Sequence, residues 1–203
     1  MSQFKLTKEE ADRIMKIKGN VRGSILKGHF LYIEELKGKE GIELLKNKLK
    51  EIGYPVNPED LNFSKWYPEA LSCLIILAAV DVFNWEEKDV FEMAYQSAKY
   101  SIVVKLLMRY FLNIEKVFRE VSSFWRKHFD FGEMKVIEFN LEKKFGIIRL
   151  YGYGKYHPLI CVYHQGYFTK IAELALGKKT VKVEHPICLF NGYNYEEFKI
   201  IWE

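Results

Sequence analysis

The sequence has few cysteines, no long apolar run and little net charge. Only 3 of its 203 residues are cysteine, which excludes a disulfide scaffold. No window holds about 18 uninterrupted apolar residues, and the N-terminal segment is charged where a signal peptide would be apolar. We therefore expect a cytoplasmic protein without a membrane span. The net charge of +4 is too small to indicate nucleic acid as a partner.

Motifs with a defined catalytic mechanism are missing as well. The sequence contains no G-x-S-x-G element, glycine-rich phosphate loop, dinucleotide-binding fingerprint or H-E-x-x-H pair. A cysteine-based enzyme would need a base beside Cys161 or Cys188, and His164 is the candidate three residues after Cys161. Nothing in the sequence indicates a site that would stabilise the thiolate. We predict that the protein is not an enzyme.

Aromatic residues, by contrast, are abundant. The chain has 15 Phe, 13 Tyr and 4 Trp, which together make up 16% of its residues. This is more than a simple helical core needs, so either the core or a ligand pocket is built from rings.

Residues 1–131 are predicted to be helical. Thr7 and Glu10 have the spacing of a capping box and mark the first helix start. The apolar segment 70–83 follows a proline at a favourable first-turn position and predicts a buried central helix. Apolar periodicity places further helices at 21–36, 42–52, 86–99, 102–113 and 114–129.

Residues 132–203 show a different period. Two β-type runs at 134–139 and 145–151 predict a hairpin, and a helix over 158–176 and strands at 180–184 and 197–202 follow. The β-β-α-β-β order predicts a small antiparallel sheet with the helix across one face. No linker divides the chain, so we expect a single α+β domain over 1–203, in which an N-terminal helical bundle packs on this sheet.

The C-terminal part concentrates residues that can bind a metal. Cys161 lies near the start of the last helix, while Glu184, His185, Cys188 and Glu196 surround the last turn. Thiolates, an imidazole and a carboxylate that meet at one end of a sheet could hold Zn(II). The alternative is that the cysteines are small apolar residues of the core.

The closing segment resembles the end of the vinyl-4-reductase domain. The resemblance rests on a glycine-started helix, a strand that ends in an acid, a cysteine with a glycine four residues later, and an apolar last strand. These are Gly166-Tyr167-Phe168, Glu173–Gly177, Val181-x-Val183-Glu184, Cys188-x-x-x-Gly192 and Phe198-x-Ile200-x-Trp202. The larger superfamily includes heme nitric-oxide-binding-like domains, hydrocarbon-sensing modules and Bet3-like subunits of vesicle-tethering complexes. The N-terminal half, with Val21–Ser24, Gly38-x-x-Gly41 and Trp66-Tyr67-Pro68, resembles an uncharacterised bacterial family abundant in myxobacteria.

The resemblance implies a zinc site and argues against haem. In phenol-sensing members of the superfamily, zinc is held by Cys, Glu and two further Cys, and Cys161, Glu184 and Cys188 match three of those positions. Glu196 stands where the last Cys would be, so His185 or Glu196 would have to complete the site. The Tyr-x-Ser-x-Arg triad that binds haem propionates has no counterpart, so haem is not expected.

The resemblance and the ring content together favour a non-enzymatic sensing or binding module for a small apolar or aromatic molecule, related to signalling. The expected cavity lies between the central helix, the aromatic-rich helices and the sheet. Its candidate lining residues are Trp66, Tyr67, Phe111, Phe124, Trp125, Tyr163 and Tyr167. The alternative is a structural or dimerisation module of the same fold that binds no small ligand. A homodimer is expected in either case.

Overall fold

The structure, a computed structural model, describes residues 4–100, 114–177 and 180–203, with the side chain of Lys99 excepted. The order of elements is α1 (Lys8–Met15), β1 (Asn20–Arg22), α2 (Gly23–Glu51), β2 (Trp66–Pro68), α3 (Glu69–Phe83), α4 (Glu87–Ser97), α5 (Ile114–His128), β3 (Glu133–Asn140), β4 (Phe145–Tyr151), α6 (Pro158–Leu176), β5 (Val181–Ile187) and β6 (Tyr195–Trp202). Short 3₁₀ turns cover Ala98–Tyr100 and Leu189–Asn191. None of the helices described is long and apolar enough to cross a membrane.

The C-terminal strands form one antiparallel sheet in the order β3-β4-β6-β5. Along β6 the side chains alternate between half-buried and buried, as expected for a strand with one face on the core. Helix α6 covers that face. The predicted α+β class and the β-β-α-β-β order of this part are confirmed.

The helical part is organised around α3. Twelve of its fifteen residues are buried, because neighbouring elements surround it on all sides. Helix α4 lies against α6, where a Cβ on Gly166 would come within 2.2 Å of the Phe91 carbonyl oxygen, so only glycine permits this approach. One hydrophobic core contains residues of the helices and of the sheet.

Two local features differ from the predicted pattern. The helices expected at 21–36 and 42–52 form one element, α2, with a kink at Gly38, whose positive φ of 67° suits glycine. Strands β1 and β2 pair with each other although the sequence indicated no strand there. This short ladder joins the starts of α2 and α3, and the Glu69 amide completes the junction by donating to the Gly19 carbonyl oxygen at 2.9 Å. The helix predicted at 102–113 lies outside the described residues.

Candidate functional site

An apolar cavity of about 120 Å³ lies between α2, α3, α5 and α6. Its wall is mainly aliphatic and aromatic, with contributions from Ile25, Ile76, Val117, Met134, Ile160 and Phe168. A few polar groups interrupt this surface, among them Glu69, Ser72 and Ser97. A mostly apolar space with a small number of convergent polar groups is the usual form of a small-molecule site.

Four of the seven predicted pocket residues line this cavity. They are Phe124, Trp125, Tyr163 and Tyr167. Trp66 is not in the cavity wall, because it is 39% exposed and stacks under the Arg22 guanidinium at 3.9 Å. Tyr67 also lies outside the wall, since its hydroxyl accepts the Asn62 amide in a surface loop. Phe111 lies outside the described residues.

The most unusual group of the cavity wall is Glu69, the first residue of α3. Its residue exposure is only 4%, and it directs no oxygen to solvent. The Tyr153 hydroxyl donates to Glu69 Oε1 at 2.6 Å, and the Cys73 thiol donates to the same oxygen at 3.7 Å. Oε2 has no hydrogen-bond partner among the described residues. Burial raises the pKa of Glu69 to about 7, although the hydroxyls and thiol around it oppose this shift.

A second buried polar pair lies beside Glu69. His29 Nε2 is 2.9 Å from the Ser72 hydroxyl, and the imidazole meets the Tyr163 ring edge to face at 5.4 Å. Burial lowers the pKa of His29 to about 3, so this histidine is neutral and adds no positive charge near Glu69.

Cys161, His185, Cys188 and Glu196 form a separate cluster on the sheet side of α6. One ligand atom from each lies within 4.8 Å of all the others. Cys161 Sγ is 3.0 Å from Glu196 Oε1 and 3.7 Å from Cys188 Sγ. Both His185 Nε2 and Glu196 Oε2 are buried without a hydrogen-bond partner in the described part of the chain. Two thiols, an imidazole and a carboxylate are a donor set that suits Zn(II).

The sequence left His185 and Glu196 as alternatives for the residue that completes this cluster. His185 and Glu196 both join Cys161 and Cys188. Glu184 does not, because adjacent side chains of a strand point to opposite faces. Its carboxylate pairs with Lys182 at 2.6 Å on the outer face of β5. The pairing register between β5 and β6 shifts between Glu184 and Ile187. Cys188 follows directly after the end of β5.

The surroundings shift the pKa values of two members of the cluster in opposite directions. Burial, the Glu196 carboxylate and the Cys188 thiol raise the pKa of the Cys161 thiol. Burial also raises the pKa of Glu196, but the imidazoles of His164 and His185 and the Cys161 thiol outweigh it and lower the value. A divalent cation would reverse the shift at Cys161, because a coordinating thiol loses its proton.

Phe198 and His164 form the boundary between the cavity and the cluster. The Phe198 ring stacks on His185 at 4.5 Å and meets Phe168 of the cavity wall at 4.9 Å. His164 lines the cavity, while its Nδ1 lies 3.6 Å from Glu196 Oε2. The two candidate sites are therefore neighbours that share helix α6.

Comparison with known proteins finds similarity at the level of the fold. No family model and no curated protein matches the chain. Solved structures of H-NOX domains do match over 90% of it. An oxygen-binding H-NOX domain related to soluble guanylate cyclases has a TM-score of 0.62 and 11% identity over 95% of its own chain. An H-NOX protein from S. oneidensis in the Fe(II)NO ligation state has a TM-score of 0.62 and 12% identity over 99% of its own chain. A structure from a study of heme distortion in the H-NOX family has a TM-score of 0.64 and 12% identity over 95% of its own chain. The chain therefore has an H-NOX-like fold.

The described residues do not fit a haem. A haem is at least as large as a drug-sized ligand, for which pockets of about 300–1,000 Å³ are usual, whereas this cavity measures about 120 Å³. Haem also carries two propionates, and no Lys or Arg belongs to the cavity wall in the described ranges. A buried carboxyl group, Glu69, lies there instead and supplies no positive charge for a propionate.

Proposed function

We propose that this chain is a non-enzymatic module that senses a small, largely apolar molecule in the cavity between α2, α3, α5 and α6. The observation that carries the proposal is the cavity itself, which has an apolar wall and an unpaired polar atom, Glu69 Oε2. A well-packed interior contains few voids larger than a water molecule, so a space of this size in an aromatic-rich core supports a ligand site. The H-NOX-like fold supports the assignment as a binding module, because one H-NOX domain that it matches is described as oxygen-binding.

The volume limits the size of the ligand. An engineered apolar cavity of about 150 Å³ in another protein holds benzene, and the present cavity measures about 120 Å³. The ligand is therefore at most a single small ring or a short branched chain. Two fused rings would require the wall to move.

Binding of a five-membered hydrocarbon ring tests this function. We expect cyclopentane to stabilise the protein, since a ligand at 100 times its Kd that binds only the folded state adds about 2.7 kcal/mol, or about 5–10 °C in melting temperature for a chain of this size. The variant Val117→Phe, which fills the cavity, should lose the shift. The matched control Trp66→Ala, which removes a ring outside the cavity, should keep it. Equal shifts in both variants, or none in the wild type, would contradict the function.

A zinc ion bound by Cys161, His185, Cys188 and Glu196 is the second part of the proposal. Zn(II) has bonds of about 2.0–2.3 Å to such ligands, so the widest separation of 4.8 Å has to shorten by about 1 Å. The unpaired Nε2 of His185 and Oε2 of Glu196 would gain a partner. When bound, zinc would supply a structural crosslink between α6, β5 and β6. Of the three residues that matched the vinyl-4-reductase pattern, Cys161 and Cys188 belong to this set and Glu184 does not.

Elemental analysis of protein purified without added metal tests the zinc site. We expect about one zinc per chain in the wild type and little in Cys188→Ala. Cys73→Ala is the matched control, because Cys73 is a buried cysteine outside the cluster, and it should keep its zinc. Glu184→Gln should also keep it, since that carboxylate pairs with Lys182. Zinc that persists in Cys188→Ala, or is lost in Glu184→Gln, would argue against this ligand set.

A further inference from the structure

The hydrogen bonds of Glu69 distinguish its two oxygens. The two donors within hydrogen-bond distance, the Tyr153 hydroxyl and the Cys73 thiol, point to Oε1. The Ser72 hydroxyl also acts on the carboxyl group, but its hydrogen-bond contact is with His29 Nε2 at 2.9 Å. Oε2 lies in the buried wall of the cavity and has no partner among the described residues. A protonated carboxyl group has one accepting carbonyl oxygen and one donating hydroxyl. This arrangement matches a neutral acid with Oε1 as its carbonyl oxygen and Oε2 as its hydroxyl.

We propose that Glu69 is a neutral hydrogen-bond donor that determines ligand specificity, and that the ligand is a small uncharged molecule with a carbonyl group as its acceptor. This inference rests on the proposed function, because it requires the cavity to be the ligand site. The ligand places its apolar body against Ile76, Val117 and Ile160, and its carbonyl oxygen accepts from Oε2. Tyr153 fixes the carboxyl group in the orientation that this contact needs.

The surroundings of Glu69 favour the neutral acid. The titratable groups around it in the described part of the chain are Cys73 on α3, His29 on α2, His128 on α5, Tyr153 and Tyr156 after β4, and Tyr163, His164 and Tyr167 on α6. Burial raises the pKa values of Cys73, Tyr153, Tyr156 and Tyr163 and lowers those of His29 and His128. His164 directs Nδ1 to Glu196 of the cluster. No Lys or Arg is among the charges that act on Glu69. The N-terminal end of α3 favours the ionised form, but burial is the larger influence and raises the pKa to about 7.

A ligand with only donors fits this geometry less well. Such a ligand needs an ionised Oε2, and it would enclose that charge in an apolar space with one hydrogen bond in place of bulk water. An ammonium group would bring three donors to a wall with one unpaired carboxylate oxygen. A carbonyl oxygen needs one donor, which Oε2 supplies.

Three five-membered rings of similar size test the inference by NMR or calorimetric titration. Cyclopentanone carries an acceptor, methylenecyclopentane replaces that oxygen with carbon, and pyrrole carries a donor. We expect cyclopentanone to bind about five- to tenfold more tightly than methylenecyclopentane at pH 6. Its affinity should fall about tenfold between pH 6 and pH 8, because the donating proton is lost above a pKa of about 7.

Two substitutions at position 69 separate hydrogen bonding from shape. Glu69→Gln keeps an acceptor for Tyr153 and a permanent donor toward the cavity, so cyclopentanone should bind it with no pH dependence. Glu69→Leu should bind cyclopentanone and methylenecyclopentane equally. If Glu69→Leu does not fold, the pH profiles of the wild type and Glu69→Gln decide the question.

The outcomes distinguish this inference from the function on which it rests. If none of the three rings binds, the proposed function fails and the inference fails with it. If methylenecyclopentane binds as tightly as cyclopentanone, or pyrrole binds best with an affinity that rises with pH, the function stands and the donor role of Glu69 is overturned.

Discussion

The cavity and the Cys/His/Glu cluster lie on the same helix, α6, and they differ in how polar groups are used. In the cavity the wall is mainly apolar, and two unpaired oxygens, Glu69 Oε2 and Ser97 Oγ, interrupt it. In the cluster four potential ligand atoms converge within 4.8 Å. As a ligand site, the first would obtain its affinity from burial and its specificity from a few polar contacts. As a metal site, the second would depend on the simultaneous placement of several donors.

Among the predictions, removal of the Phe198 ring between the two sites has the largest expected effect on the free energy of unfolding. Phe198 is fully buried between His185 and Phe168, so Phe198→Ala should lower the free energy of unfolding by about 3–5 kcal/mol. The folded variant should also bind zinc more weakly, because His185 loses the ring that supports it. Urea denaturation and a competitive zinc titration measure the two effects.

The control for this substitution is Phe190→Ala. Phe190 is 37% exposed and contacts Cys188 through its backbone amide, which alanine keeps. We expect a change within about 0.5 kcal/mol and the same zinc affinity. If Phe198→Ala lowers stability and leaves zinc affinity at the wild-type value, the two sites are energetically independent.

The pH dependence of the free energy of unfolding reports on Glu69 in the cavity wall when the wild type is compared with Glu69→Gln. The pKa of Glu69 in the folded state is raised to about 7, so its favourable contribution is complete below about pH 4.5 and is lost as the pH rises through 7. A shift of this size corresponds to about 3 kcal/mol. Glu69→Gln does not titrate, and it should therefore gain about 3 kcal/mol relative to the wild type between pH 4 and pH 8, measured by urea denaturation. A constant difference between the two proteins would show that Glu69 has an ordinary pKa.

The sequence predicted the elements of the sheet region better than the wall of the cavity. Turn residues and alternating strands mark local structure, and helix α6 ends at Leu176 before Gly177 as predicted. The aromatic residues of the cavity wall have no comparable sequence signal, because aromatic residues in a core and in a pocket show the same spacing along the chain. Trp66 and Phe124 illustrate this, since only the second lines the cavity.

Polar residues indicated a candidate site more directly than aromatic residues did. The sequence placed the thiols, imidazole and carboxylates of the C-terminal part near one another because the predicted helix and the last turn meet at one end of the sheet. The alternation of side chains along β5 decides that His185, on the face of the buried Val183, and not Glu184, faces Cys161. Glu69 was missed, although an acid at the start of a helix as apolar as α3 could have indicated it.

The smallest expected effect distinguishes the cavity from the filled core. Val117 lines the cavity, whereas Val90 is fully buried in α4 away from it. Val117→Ile adds one methylene to empty space and should raise the free energy of unfolding by up to about 0.8 kcal/mol. Val90→Ile adds the same group to a packed interior and should lower it by about 1–3 kcal/mol. Since the two substitutions are chemically identical, opposite signs in urea denaturation would locate the empty space at Val117. A loss of stability at both positions would mean that the protein in solution closes the cavity when no ligand is bound.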